Sequence, residues 1–212
     1  MKKNWFSYVV WVFTAVFVAC MFFLPETVPV HWNMQGVVDR YGSRYEYLFL
    51  ILLPLIVYYG MDFTKKIDPK YENIKKKGDV YEFFKVLMTL VFMAIVIVLY
   101  FMSFEIVKIN STLFIALIMG IMFIALGNYM PKVPQNYYLG IKTPWALENE
   151  EVWRKTHRMG GHIFVLLGVC FCICALMSSS VVLAVVVAMT LVSVVFLYVY
   201  SYKVFKKLGK EE

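Results

Sequence analysis

The chain has 212 residues, 61% of them hydrophobic and 18% aromatic, with a net charge of +7 and a mean hydropathy of +0.70. Soluble domains are only about half apolar, so a water-soluble globular fold is excluded. The basic residues flank apolar runs instead of forming one patch, which argues against nucleic-acid binding and for membrane topology and contact with anionic lipid.

Six apolar runs approach or exceed the length that crosses a hydrocarbon core of about 30 Å. They are Trp5–Leu24, Tyr47–Phe63, Phe83–Phe104, Thr112–Leu126, Met159–Met177 and Val181–Tyr202. Pro54 and Asp62 weaken the second, the fourth is short, and His157, Arg158 and His162 crowd the start of the fifth. The expected fold is an all-α integral membrane protein with six transmembrane helices. Both termini are expected to be cytoplasmic, and a short cytoplasmic interfacial helix is expected besides the spans. In that topology only Arg40, Arg44 and Lys108 of the 21 basic residues lie outside. Lysines on cytoplasmic segments are what the positive-inside bias requires. The division is residues 1–110, with three spans and an extracellular loop at 25–46, and residues 111–212, with three spans and a cytoplasmic loop at 127–161.

Lys2 and Lys3 ahead of an apolar run look like a signal peptide. The run is longer than a usual hydrophobic region and has no small-x-small site before Pro25, so an uncleaved anchor is expected. In the loop that follows, Pro25 and Pro29 stop the helix and force an extended chain. Asn33 to Gly36 and Tyr41-Gly42-Ser43 are turn formers. Glu26, His31 and Asp39 can bind a metal or a peptide amine, and Trp32 and Tyr41 can anchor an apolar ligand. The bland alternative is a compact loop with Trp32 in the aromatic belt and Asp39 paired with Arg40 or Arg44. Metal-ligand spacing is absent, so no metal or cofactor is expected. The ligand-contact candidates are Glu26, His31, Trp32, Asn33, Asp39, Tyr41 and Arg44.

Further along, Asp62, Lys85 and His162 lie near span ends, where snorkelling makes charge cheap. Asn110-Ser111-Thr112 matches a glycosylation sequon but sits too close to the membrane to weigh much. The loop from Gly127 to Gly161 is too polar to cross a bilayer and too rich in Pro, Trp and Tyr for a solvated linker. Pro131 and Pro134 keep its start extended. Thr143-Pro144 reads as a helix N-cap with proline at the first position, and Asn149-Glu150-Glu151 as a second helix start. Glu150 with Arg154 and Glu151 with Lys155 are acid-before-base pairs, and Gly160-Gly161 is expected to break the helix before the membrane. Cys170, Cys172 and Cys174 spread over different helix faces and read as small buried hydrophobes.

Glu150, Glu151 and His157 are acid–base types, yet no metalloprotease, nucleophile-elbow or phosphate-loop pattern accompanies them, so no enzyme is expected. A docking platform fits exposed aromatics and arginines better. Its candidates are Asn128, Tyr129, Lys132, Asn136, Tyr137, Lys142, Trp145, Glu150, Trp153, Arg154, Lys155, His157 and Arg158.

The segments G-N-Y-M-P-K, Asn136-Tyr137, G-I-K-T-P-W and N-E-E-V-W-R-K-T-H-R closely resemble the signature of the SdpI family of bacterial immunity proteins. The outer L-P-x-x-V-P-x-H-W-N-x-x-G-x-x-D-x-x-x-S resembles the DUF1648 motif that precedes it in many members. That motif usually continues Ser-Lys, whereas here it reads Ser43-Arg44, which retains the charge. The resemblance implies a cytoplasmic-membrane protein of Gram-positive bacteria that protects the producer against a secreted toxic peptide. It also implies a signalling receptor that sequesters a small winged-helix autorepressor at the membrane, without itself binding nucleic acid. The runner-up reading is a small transporter or lipid-modifying membrane enzyme.

Overall fold

The computed structural model describes residues 5–33, 35–104, 111–177 and 180–210. Lys2, Lys3, Lys108 and Asn110 of the sequon lie outside them. In chain order come α1 (Trp5–Met21), β1 (Thr27–Trp32), β2 (Val38–Ser43), a 3-10 turn at Arg44–Glu46 and α2 (Tyr47–Ile67). Then come α3 (Tyr71–Lys76), α4 (Gly78–Met102), α5 (Ser111–Tyr129), a 3-10 turn at Met130–Lys132, α6 (Pro144–Glu148), α7 (Glu150–Met177) and α8 (Ser180–Leu208).

Among the described residues, five helices are long and apolar enough to cross a membrane: Arg44–Ile67, Gly78–Met102, Leu113–Lys132, Glu150–Leu176 and Ala184–Leu208. Besides these, α1 is a shorter apolar helix of 17 residues, about 25 Å at 1.5 Å per residue. The architecture is that of a helical membrane protein, with one departure from all-α: β1 and β2 pair as an antiparallel hairpin. The sequence showed an extended chain and turn residues there, but cross-strand pairing has no signature in so short a run.

The described chain gathers into two compact units. One holds Met1–Phe63 and Phe83–Phe114, the other Thr64–Glu82 and Ile115–Glu212. Within the first, Met21, Leu24, Val28, Tyr47, Ile51 and Val96 form a buried cluster that seats the hairpin on the ends of α1, α2 and α4. A second cluster packs Phe6, Val10, Tyr58 and Met93. Lys85 does not snorkel as expected. It is 1% exposed, its Nζ donates to Asp62 Oδ1 at 2.8 Å, and it lies 4.4 Å from the Tyr58 ring centroid. An unpaired charge in an apolar helix bundle costs several kcal/mol, so burial here requires the Asp62 partner.

In the second unit α5 and α7 approach through glycine. A Cβ on Gly127 would meet Gly161 O at 2.7 Å, and one on Gly168 would meet Gly120 O at 2.6 Å. Small residues seven apart on each helix let antiparallel backbones touch, the usual device where lipid removes a hydrophobic drive for association. Gly160-Gly161 therefore does not break the chain: α7 runs unbroken from Glu150 to Met177. A Cβ on Gly120 would also strike Cys172 Sγ, so Cys172 packs against α5; of the three cysteines read as buried only Cys174 is, while Cys170 and Cys172 are partly exposed.

Candidate functional site

The hairpin comes first in the chain. Asn33 builds its turn: its side-chain oxygen accepts from Gln35 N and Val37 N, both at 3.0 Å, and Gly36 takes a φ of +76°. Such an Asx turn followed by a positive-φ glycine reverses the chain without strain. Register irregularities between Pro29 and Trp32 re-aim His31, whose Nδ1 lies 2.6 Å from Asp39 Oδ1. Asp39 therefore pairs across the hairpin with His31, and not with Arg40 or Arg44. The Arg44 guanidinium instead donates to the carbonyls of Phe22 and Leu24, satisfying the C-terminal end of α1. Ser43 caps the following turn with Glu46 in a reciprocal capping box. Tyr47 donates its hydroxyl to Pro29 O at 2.7 Å. Glu26, His31, Asp39 and Tyr41 stay exposed, and Trp32 is half-buried.

The loop at 127–161 is built from the inside. Thr143 caps α6 as the sequence predicts, its hydroxyl accepting from Ala146 N at 3.2 Å. It also bonds Ser201 of α8, and Trp145 packs between the Tyr198 and Tyr202 rings. Asn149 opens α7, its side-chain oxygen accepting from Glu151 N and Val152 N. The short interfacial helix expected here is thus the start of one 28-residue helix. Its first turns hold Glu150, Glu151, Arg154, Lys155 and Arg158, ahead of the apolar run that the sequence starts at Met159. Glu151 takes both cations, Lys155 at 2.9 Å and Arg154 at 3.8 Å, whereas the sequence paired Arg154 with Glu150. The hydrogen bond from Lys155 holds the Glu151 carboxyl below its usual range.

Two signature residues, Trp153 and His157, form an internal post. The Trp153 indole N–H donates to Val133 O at 2.9 Å, and its ring stacks on His157 at 3.9 Å between centroids. His157 Nδ1 lies 2.9 Å from Trp153 O, and its Nε2 accepts from Ile141 N at 3.0 Å. A carbonyl only accepts and an amide only donates, so the imidazole is the neutral Nδ1–H tautomer. Burial pushes its pKa down from 6.5 to about 4, against the opposing effect of the bond to Trp153. Gly140 sits beneath this ring at φ +115°, and a Cβ there would lie 2.3 Å from Nε2. Asn136 closes the turn before it, its amide donating to Pro134 O and Leu139 O while its oxygen accepts from Tyr138 N and Leu139 N.

Residues that the sequence reading passed over clamp the loop from α2–α3. Asp68, 4% exposed, accepts from Lys70 N and from Tyr137 N, at 2.7 and 2.9 Å. Lys70 Nζ donates to the Gln135 side chain and to Leu147 O, and Gln135 donates to Ala146 O and Leu147 O. Asp68-Pro69 was the available signal, a turn-forming pair after a span. Of the docking candidates, Asn136, Trp153 and His157 are buried within this clasp, and Trp145 is packed on α8. Asn128, Lys132, Tyr137, Lys142, Glu150, Arg154 and Arg158 are exposed, while Tyr129 and Lys155 are partly buried.

Comparison with known proteins agrees with the motifs. The model of the SdpI/YfhL protein family matches residues 132–201, and that of a domain of unknown function, DUF1648, matches residues 9–57. The chain is 25% identical over 212 residues to the immunity protein SdpI of Bacillus subtilis (strain 168), covering 99% of each. No solved structure matches the chain. With its apolar helices, the chain is a multi-pass protein of the bacterial cytoplasmic membrane carrying the SdpI signature and the DUF1648 motif.

Proposed function

We propose that this chain, related along its whole length to an SdpI immunity protein, protects its producer against a secreted toxic peptide. The reading takes α1 as a sixth span and places both termini and the loop at 127–161 in the cytoplasm. It keeps the division at residues 110 and 111. The basic residues support it, since the described lysines gather at one set of helix ends and the hairpin has none. The hairpin meets the toxin, with Trp32 and Tyr41 as apolar anchors and Glu26 and Asp39 as charge partners for a cationic peptide. The exposed face of the clasped loop, with Tyr137, Lys142, Arg154 and Arg158, is a docking surface for a winged-helix repressor held at the membrane. No catalytic step is needed for either task.

The observation that carries this reading is the full-length relationship, which covers the hairpin and the clasp together. Its test is a killing assay. Expression in a toxin-sensitive Bacillus strain lacking its own immunity protein raises survival; unchanged survival with normal membrane insertion refutes the proposal. Replacing Lys142, Arg154 and Arg158 by alanine is expected to abolish repressor pull-down from membranes. The runner-up, transport or lipid modification, draws on the buried Lys85–Asp62 pair, because ionisable groups inside a bundle often serve transport. Saturable counterflow in proteoliposomes would favour it.

A further inference from the structure

The clasp leaves a cleft of about 600 Å³ between the end of α3, the loop after α5 and the start of α7. That volume lies within the range of ligand sites, about 300–1,000 Å³. Pro131 and Pro134 form part of its lining, and the loop that carries them is held by the buried Trp153, which bonds Val133 O and stacks on His157. Such a surface is preorganised, so an occupant pays little to order it.

The two walls carry opposite charge. Lys76 and Lys77 line one side, and among the described residues neither has an acidic partner. Glu150, Glu151 and Arg154 line the other; Glu151 takes Arg154 and Lys155, which leaves Glu150 the acid on that wall without a basic partner among the described residues. A simple anion is opposed by Glu150, and a simple cation by the lysine pair. Between the walls lies the surface of Pro131 and Pro134, which a wholly polar headgroup leaves uncovered but an apolar side chain covers. We infer that the cleft takes a short segment of a cytoplasmic protein partner in which an apolar side chain stands between an acidic and a basic one. Lys76 and Lys77 receive the acid, Glu150 receives the base, and Pro131 and Pro134 receive the apolar group. This rests on the docking role proposed for the loop and gives that partner a chemical pattern.

The test uses the full chain in nanodiscs and fluorescein-labelled five-residue peptides, read by anisotropy. The probes are Glu-Ala-Leu-Ala-Arg, its all-acidic and all-basic counterparts, and a version with Ser for Leu. The mixed-charge peptide is expected to bind about tenfold tighter than the other three, equivalent to about 1.4 kcal/mol. K76E/K77E is expected to shift preference to the all-basic peptide, and E150K to the all-acidic one. These side chains are exposed, so melting is expected to stay unchanged. Equal binding of all peptides, or preferences untouched by the substitutions, overturns the inference. So does displacement of the peptide by added phosphatidylethanolamine, which assigns the cleft to a lipid headgroup. Repressor pull-down with indifferent peptides removes the cleft alone; loss of pull-down from the unaltered chain removes the docking role beneath it.

Discussion

The hairpin turns its polar side chains toward solvent, and the loop at 127–161 turns many of its own inward. In the hairpin, His31 and Asp39 bond each other in the open, 61% and 42% exposed. In the loop, Asn136 and His157 are fully buried and hold backbone atoms of their own segment. The difference teaches that a dense polar motif has two separable uses. One presents chemistry to a partner, and the other builds the shape on which a few outer residues are presented. Substitutions in the hairpin should therefore change function with little change in stability, while those in the loop's interior should change stability first.

The largest expected effect is at Gly140. Alanine there must adopt a positive φ and place its Cβ against His157, at a cost of roughly 2–5 kcal/mol. Thermal unfolding in detergent, followed by tryptophan fluorescence, checks this; an unchanged transition breaks the contrast between the regions. Acid comes next. The folded state holds His157 neutral to about pH 4, whereas the unfolded chain protonates near 6.5, so stability is full above 6.5 and falls as pH drops toward 4. The loss reaches about 3 kcal/mol at 1.36 kcal/mol per unit. Glu151, whose pKa is lowered, acts in the same direction. Denaturant titrations between pH 7 and 4 read the slope, and a flat profile contradicts the neutral post. Asp68→Ala strips the acceptor from Lys70 N and Tyr137 N and should cost about 1–3 kcal/mol by the same melting assay. His31→Ala, which breaks an exposed pair, should cost under about 1 kcal/mol.

Much of this was legible in the sequence. Helix positions, the Thr143 and Asn149 caps and the Asn33–Gly36 turn follow from local chemistry that each residue declares within four positions. The glycine contacts between α5 and α7 were not, because Gly160-Gly161 reads as a breaker until a partner backbone is known to lie against it. Lys85 read as a snorkelling lysine for the same reason: its partner Asp62 is on another helix, 23 residues away. Trp153 and His157 carry the side chains of a docking surface, and sequence offers no sign that Val133 and Ile141 will claim their polar atoms. Long-range partners decide which polar residues are spent inside.

The most direct test of the division of labour is the double substitution Trp32→Ala with Asp39→Ala, assayed for toxin survival and melting together. Protection should be lost while the melting transition stays within a few degrees of the unaltered protein. Protection at the unaltered level would contradict the account and remove the hairpin from toxin recognition.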